Sequence, residues 1–307
     1  MAIPLRQFGR HPGVSVSALC LGGYHLGVMK SAREAIRIVH AAIDGGVTFM
    51  DNAWEYNEHE SEIRMGKAIA DRRDDVFLMT KVCTHGRDAK VAMRQLDESL
   101  RRLKTDYLDL WQIHEVVYYN EPDLHFARGG AVEALDRAKR AGKVRFVGFT
   151  GHKDPEIHLR MLSHGYPFDA CQLPLNVFDA TFKSFERTVL PELLRQGIAP
   201  LGMKSLCGSG NPVKKRAVKA EEALRYAMSL PVATTVSGID SMRVLKQNLK
   251  IASTFTPLSD AQMERLRRRV ADSAADGRFE HHKTTAEHDG DEGRKQHGFP
   301  TADEVAL

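Results

Sequence analysis

The amino-acid sequence predicts an α/β fold, a (β/α)8 TIM barrel with an N-terminal β-hairpin, one extra C-terminal helix and a polar tail. Short apolar runs alternate eight times with amphipathic helical patterns, which is typical of parallel strands joined by right-handed crossovers. Three of the runs end in or lead to a titratable residue, namely Asp51, Lys81 and His114. Catalytic residues collect at the C-terminal ends of barrel strands. We therefore expect residues 1–275 to form one barrel domain with a functional site at that end.

The chain begins with a predicted hairpin over residues 4–22. Residues 9–13 are rich in turn-forming types, and Val14 and Val16 then alternate with serines. We expect this hairpin to plug the barrel. Each barrel strand is predicted from a short apolar run. The eight runs are residues 18–21, 47–50, 76–80, 107–113, 144–149, 169–173, 198–201 and 232–236.

Helices are predicted between these strands from apolar residues that recur with helical spacing. Ser31 followed by Glu34 has the pattern of a capping box at the first helix. Residues 115–130 are predicted to be a longer polar loop. The predicted helices are residues 32–45, 58–70, 88–103, 131–141, 155–162, 185–195, 220–228 and 242–251, with an extra amphipathic helix over 259–271.

The composition changes from about Asp276 onward. Residues 276–307 carry eight acidic and four basic side chains and few large apolar groups, so this segment cannot form a core of its own. We predict an acidic C-terminal tail that either packs near the mouth of the barrel or is partly disordered. For its histidines, solvated surface is the favoured interpretation over a metal site, because their spacing is irregular. They are His281, His282, His288 and His297.

Bulk properties exclude several classes of protein. A formal net charge of +4 is too small to indicate nucleic-acid binding, and no apolar run approaches the roughly 18 residues of a membrane-spanning helix. The four cysteines are widely spaced without a CxxC pair, which favours reduced thiols in a cytoplasmic protein. No sustained apolar helix face indicates an interface, so we expect a monomer or a weak oligomer.

The predicted site contains an acid, a lysine, a histidine and a tyrosine. Asp51 would keep Lys81 charged, and a nearby ammonium favours the phenolate form of Tyr56, whose ordinary pKa is about 10. His114 could donate a hydrogen bond to a carbonyl oxygen. Such a set can protonate an oxyanion as hydride arrives, or deprotonate an alcohol in reverse. It supplies neither a metal cage nor an activated nucleophile of the usual types.

A place for a phosphate-bearing cofactor follows the last two strands. Residues 202–211 are small and hydroxylated with lysines nearby, and residues 237–241 open a helix. Loops in these positions form the usual phosphate site of such barrels, and a helix N-terminus attracts phosphate.

Over residues 4–272 the sequence resembles the aldo-keto reductase family. Three motifs carry the resemblance in order and spacing: Phe49-Met50-Asp51-Asn52-Ala53-x-x-Tyr56, Met79-Thr80-Lys81, and Asp109-Leu110-Trp111-Gln112-Ile113-His114. The resemblance implies an NAD(P)H-dependent reductase of aldehydes or ketones. Tyr56 would be the general acid/base, Asp51 and Lys81 would tune it, and His114 would orient the carbonyl.

The same resemblance implies the residues that contact cofactor and substrate. NADP(H) is mildly favoured over NAD(H), because Arg243 lies near the expected position of the 2′-phosphate. The substrate would meet Tyr24, Trp54, Tyr56 and His114. The cofactor would meet Gly22, Gly23, Tyr24, Asp51, Thr150, Gln172, Met203, Lys204, Ser205, Leu206, Gly208, Gly238, Arg243, Gln247 and Asn248.

Two alternatives stay open at this point. Some relatives of this fold are regulatory subunits of membrane channels and keep the four catalytic residues, so the motifs do not exclude a nucleotide-binding subunit with little turnover. A metal-dependent hydrolase would have to use His25, His114, Glu115 and His152, which lack the usual HxH pairing.

Overall fold

The computed structural model describes residues 2–83 and 88–290. Eight parallel strands close into a barrel, in the order β10-β3-β4-β5-β6-β7-β8-β9, so the predicted fold is confirmed. A two-stranded antiparallel hairpin, β1 (Leu5–Phe8) and β2 (His11–Ser17), precedes it. The barrel strands are β3 (Leu19–Gly22), β4 (Phe49–Asp51), β5 (Phe77–Val82), β6 (Leu108–Ile113), β7 (Val144–Thr150), β8 (Ala170–Pro174), β9 (Ala199–Met203) and β10 (Thr234–Gly238).

Helices pack around the barrel and bury their apolar faces against the outer side of the sheet. Nine of those in the described ranges correspond to predicted helices: α2 (Ala32–Asp44), α3 (Glu60–Ala68), α4 (Ala89–Leu103), α6 (Ala131–Arg140), α7 (Pro155–Ser163), α8 (Phe185–Arg195), α10 (Ala220–Ser229), α11 (Met242–Ser253) and α12 (Asp260–Ala274). Four shorter ones are α1 (Tyr24–Val28), α5 (Glu121–Phe126), α9 (Asn211–Lys214) and α13 (His281–Thr284). The Ser31 side chain accepts a hydrogen bond from the Glu34 N–H, as an N-cap does.

The hairpin fills the end of the barrel opposite the site. Phe8 and Val16 are fully buried in one apolar cluster with Phe49 and Phe77, which point into the barrel. The predicted turn over residues 9–13 is too long, because His11 already pairs with Phe8 across the hairpin.

The loop from 115 to 130 contains α5, which the sequence analysis does not predict. The Glu121 carboxylate accepts hydrogen bonds from the N–H groups of Val117 and Tyr118, and Pro122 lies in the first helical turn. Proline in the first turn costs no helical hydrogen bond. A helix of six residues is too short to show helical periodicity, which explains why the pattern was not visible.

Residues 276–290 pack on the barrel through charged groups. The Lys283 Nζ lies 2.6 Å from Asp179 Oδ1 and 2.9 Å from Glu280 Oε2, and it also donates to the Phe182 carbonyl. His282 is fully buried, so the solvated-surface interpretation is wrong for this histidine. Phe279 adds an apolar contact, since it is buried with its ring 5.2 Å from that of Phe178 between centroids. The polar sequence does not predict the burial of His282 and Lys283, because ion pairs supply most of the contacts around them. Residues 291–307, with His297, lie outside the described residues.

Among the residues described, no helix is both long and apolar enough to cross a lipid bilayer.

Candidate active site

The four predicted catalytic residues meet at the C-terminal mouth of the barrel. Asp51 ends β4, and Lys81 is the penultimate residue of β5. His114 follows β6, and Tyr56 lies in the loop after β4. Lys81 is almost fully buried, and its Nζ lies 2.5 Å from Asp51 Oδ1 and 2.7 Å from the Asn52 carbonyl. The same ammonium donates to the Tyr56 hydroxyl over 3.3 Å. The parallel register brings together residues that are up to 63 positions apart in the chain.

The electrostatics of Tyr56 differ from the expectation. Removal of the phenol from bulk water raises the pKa of Tyr56 well above its usual range, and Asp51, Glu115 and Glu55 raise it further. The net shift is therefore opposite to the lowering expected from Lys81, because burial and the three carboxylates outweigh one ammonium. A phenol with this pKa is protonated at neutral pH and can act as a proton donor.

His114 is buried and paired. Its Nδ1 contacts the Glu55 carboxylate, and its ring lies edge-on to the Tyr56 ring at 5.6 Å between centroids. Burial lowers the pKa of His114 and Lys81 lowers it further, while Glu55 and Asp51 oppose the shift. Sequence reasoning did not single out Glu55. The sequence feature that could have indicated Glu55 is its position directly before Tyr56, as a second carboxylate after Asp51.

The predicted cofactor residues line the same mouth. Gly22 and Gly238 end neighbouring strands, and Thr150 and Gln172 lie on β7 and β8. Gly23 directly follows β3, and an added Cβ there would lie 2.3 Å from the Asp51 carbonyl oxygen at the end of β4, so only glycine fits at this position. The Asn248 side chain donates to Ser237 Oγ and is thereby fixed, whereas Arg243 and Gln247 are exposed on α11.

Met203 ends β9, and the predicted phosphate turn follows it. Lys204, Cys207 and Gly208 have positive φ angles of 54°, 56° and 77°. Left-handed residues in a turn aim successive backbone N–H groups toward one side and create an anion-binding concavity. Burial lowers the pKa of Lys204, which Glu115 and Asp289 oppose. Ser205 is buried in this turn, and Leu206 packs at its edge.

Tyr24 and Trp54, which are predicted to contact substrate together with Tyr56 and His114, lie in different environments. Tyr24 is half-exposed, and its ring meets the Tyr56 ring edge-on at 5.4 Å between centroids. Trp54 is buried, and its indole N–H donates to Glu98 on α4 over 2.8 Å, while its ring packs on His59. Tyr24 thus borders the Tyr56 phenol, whereas Trp54 is directed toward the helix layer. Their substrate contacts stay predictions.

The tail contributes side-chain contacts near the site that the sequence analysis does not predict. Asp289 Oδ2 lies 2.7 Å from Lys153 Nζ, and its Oδ1 lies 3.3 Å from His152 Nε2. Burial lowers the pKa of His152 to about 3, although Asp289 opposes the shift. Gly290 touches the Glu115 carboxylate, and the His288 ring lies 3.6 Å from the Cβ position of Gly208. The segment therefore contacts both the phosphate turn and the neighbour of His114.

Of the four residues considered for metal binding, His114 and Glu115 lie together, whereas His25 and His152 do not join them. His25 lies against Gly238, and His152 pairs with Asp289. Within the described residues, one group of possible metal-ligand atoms lies within 4.8 Å of one another. It consists of atoms from Glu55, His114 and Glu115. Lys81 and Lys204 act electrostatically on His114 and Glu115, respectively, and both disfavour a second cation there.

The sequence is similar to a known family and to individual relatives. Residues 18–216 match the model of the aldo/keto reductase family. The aldo-keto reductase YhdN of Bacillus subtilis is 29% identical over 64% of this chain, and the match spans 60% of that protein's length. A 6-dehydroglucose reductase of Novosphingobium aromaticivorans is 28% identical over 76% of this chain and 79% of its own.

Solved structures share the fold. The aldo-keto reductase AKR11C1 of Bacillus halodurans superimposes with a TM-score of 0.73 at 22% identity, covering 87% of this chain and 96% of that chain. An aldo-keto reductase of Klebsiella pneumoniae in complex with NADPH superimposes with a TM-score of 0.70 at 23% identity, covering 91% of this chain and 98% of its own.

Proposed function

Because the chain belongs to the aldo/keto reductase family, we propose that it is an NAD(P)H-dependent oxidoreductase that reversibly reduces aldehyde or ketone carbonyls to alcohols. The single observation that carries the proposal is the Tyr56 hydroxyl, held 3.3 Å from a buried ammonium that is itself paired with Asp51. A protonated phenol beside a fixed cation is suited to protonate an alkoxide as it forms.

The residues at the mouth fit a dinucleotide. The turn after β9 contains three left-handed residues, including Lys204, and suits a pyrophosphate. The exposed Arg243 suits a phosphate at the far end. When bound, a reduced nicotinamide supplies the hydride. Arg243 supports NADP(H) over NAD(H), and so does the NADPH complex of the Klebsiella pneumoniae relative.

The chain's own residues supply the proton and hold the carbonyl group. Tyr56 donates its proton to the carbonyl oxygen, and Lys81 stabilises the phenolate that this leaves. Asp51 and the Asn52 carbonyl keep the Lys81 ammonium in place. His114 orients the carbonyl oxygen by a hydrogen bond from its ring. In the reverse direction, the phenolate accepts the proton of an alcohol.

The named activities of relatives support carbonyl reduction rather than a more specific substrate. One is called a 6-dehydroglucose reductase, and a protein of Escherichia coli that is 28% identical over 70% of this chain is called a methylglyoxal reductase. The two substrates share a carbonyl group and little else, so we propose small aldehydes and ketones as the substrate class.

The test combines binding with turnover. NADPH and NADH are each titrated into the purified protein and into Arg243→Ala, with Lys246→Ala on the same helix as control. We expect tighter binding of NADPH and a loss of that preference only in Arg243→Ala. In Tyr56→Phe, we expect unchanged cofactor binding and a loss of roughly 100-fold or more in kcat for a test aldehyde, because the proton donor is gone.

Tyr119→Phe is the matched control for the loss of a phenol, since Tyr119 is exposed on the loop after β6. Failure of both nucleotides to bind would overturn the proposal. So would a Tyr56→Phe variant as active as the parent protein.

A further inference from the structure

The Glu55 carboxylate and the His114 imidazole form a buried pair beside the catalytic phenol. Glu55 is 8% exposed and His114 is 5% exposed, and the contact joins Glu55 Oε1 to His114 Nδ1. Glu55 directly precedes Tyr56, so the loop that positions the proton donor also positions the partner of His114. The contact occupies one ring nitrogen and leaves the other, Nε2, as the nitrogen that can meet a carbonyl oxygen.

We propose that Glu55 is a positioning residue that holds His114 in the protonation state in which Nε2–H donates to the substrate carbonyl. This inference rests on the proposed carbonyl reduction. Glu55 undergoes no net chemistry in the step. The proton that the alkoxide receives comes from Tyr56, and the protons of the Glu55–His114 pair stay on the pair.

The argument follows from the two nitrogens of imidazole. A neutral imidazole has one N–H donor and one acceptor nitrogen. If the pair holds two protons, one lies between Nδ1 and the carboxylate and the other is on Nε2, which can donate. If it holds only one, Nδ1–H donates to the carboxylate, and Nε2 is left as an acceptor that repels a carbonyl oxygen. The pair, rather than His114 alone, therefore sets the hydrogen-bonding role of Nε2.

Charged groups on β4, on β5 and in the loop after β6 act on the pair. Lys81 approaches from β5 and Asp51 from β4, and Glu115 follows His114 in the chain. Lys204 and Asp289 act through Glu115. Burial raises the pKa of Glu115 well above its usual range, and Glu55 raises it further. Two carboxylates this close to each other do not both ionise readily, so the cluster of Glu55, His114 and Glu115 favours an additional bound proton.

The pair makes the reduction rate depend on pH with a defined sign. As pH rises, the pair loses its second proton and Nε2 stops donating, so kcat for reduction falls. An ionised Glu55 favours the protonated imidazole, and its removal lowers the pH of this fall. In Glu55→Gln, we expect the basic limb of the kcat profile to move down by about one pH unit. We also expect kcat at pH 7 to fall about tenfold, with unchanged NADPH binding.

The matched control is Glu58→Gln, because Glu58 is an exposed glutamate in the same loop. It should keep the parent pH profile. Thermal unfolding and NADPH binding show whether Glu55→Gln is folded. A properly folded Glu55→Gln protein with the parent kcat and pH profile would overturn the inference.

A second measurement does not depend on turnover. Nitrogen-15 NMR of labelled histidine, with His114 assigned by its loss in His114→Gln, reports which ring nitrogen carries hydrogen. We expect Nε2–H at pH 7 in the parent protein and a lower imidazole pKa in Glu55→Gln. A parent spectrum with an unprotonated Nε2 at pH 7 contradicts the inference.

These readouts separate the two proposals. If the parent protein reduces no carbonyl compound but shows the expected spectrum, the proposed function fails while the pair stands. Calorimetric binding of Zn²⁺ that Glu55→Gln abolishes would instead assign the cluster to a metal, and would overturn the positioning role.

Discussion

Single buried ions organise the mouth of the barrel. Lys81 holds Asp51 and the Tyr56 hydroxyl, and Lys283 holds Asp179 and Glu280. An ammonium taken out of water loses several kcal/mol of hydration, which only close carboxylates and carbonyls can offset. One lysine therefore fixes the Tyr56 phenol, and the other fixes the tail segment. A buried ammonium paired with carboxylates thus positions both Tyr56 and the tail segment.

Replacement of Lys283 by methionine should release the tail segment. Asp179 and Glu280 would be left buried and facing each other, and removal of one partner of a buried pair costs about 3–5 kcal/mol. We expect a lower midpoint in urea unfolding and faster trypsin cleavage after Arg278. Lys250→Met, at an exposed position on α11, is the control. Equal cleavage rates in Lys283→Met and the parent protein would show that the ion pairs do not hold this segment.

The helices α3 and α4 cross at a close backbone contact. A Cβ added to Gly66 would lie 2.1 Å from the Arg102 carbonyl oxygen and 2.7 Å from the Leu103 Cα. Both neighbours are backbone atoms, so they cannot move aside by a change of rotamer. The glycine lets the two helices approach and places Glu62 on α3 within 2.8 Å of Arg102 on α4.

Gly66→Ala should therefore destabilise the protein although alanine favours helices. Helix propensity contributes a gain of roughly 1 kcal/mol, and forced overpacking costs about 1–3 kcal/mol, more where backbone must shift. We expect a net loss of stability of about 1–2 kcal/mol in chemical denaturation. Gly13→Ala is the matched control, since nothing lies within 4 Å of its added Cβ. If both variants are as stable as the parent, the helix contact is not as tight as described.

At the scale of the whole molecule, buried histidines couple folding to pH. His158 is fully buried between the rings of Phe149 and Phe185. Burial lowers the pKa of His158 to about 4, and burial lowers that of His152 to about 3. The unfolded chain binds protons at these sites from about pH 6.5 downward, while the folded chain does not. Stability contributed by these residues is present above pH 6.5 and is lost as pH falls toward 4.

The parent protein should therefore lose stability between pH 7.5 and 5, with roughly 2 kcal/mol of the loss due to His158. His158→Phe keeps an aromatic ring without a titratable nitrogen, so its stability should depend less steeply on pH. Urea unfolding of both proteins at pH 7.5 and 5 gives the comparison. The value at pH 7.5 corrects for any change in packing, because histidine is neutral there in both states. Parallel pH dependences in the two proteins would assign the effect to other groups.

The sequence predicts the barrel and the meeting of Asp51, Lys81, His114 and Tyr56, because these follow from local patterns. A strand-end position is visible in a short apolar run, and parallel strands bring such ends to one mouth. Glu55 and Glu115 were overlooked as partners of His114 and Tyr56 because carboxylates in loops are usually solvated. The helix α5 was missed because six residues are too few to show a period.

The sequence by itself determined the order of strands and helices, the hairpin and the strand ends that carry the residues proposed to be catalytic. Only the tertiary structure decided the raised pKa of Tyr56, the pairing of His114 with Glu55 and the burial of His282 and Lys283. The physical reason is the range of the forces involved. Periodicity and capping act between neighbours in the chain, whereas desolvation and Coulomb interactions depend on distances between residues that only folding brings together.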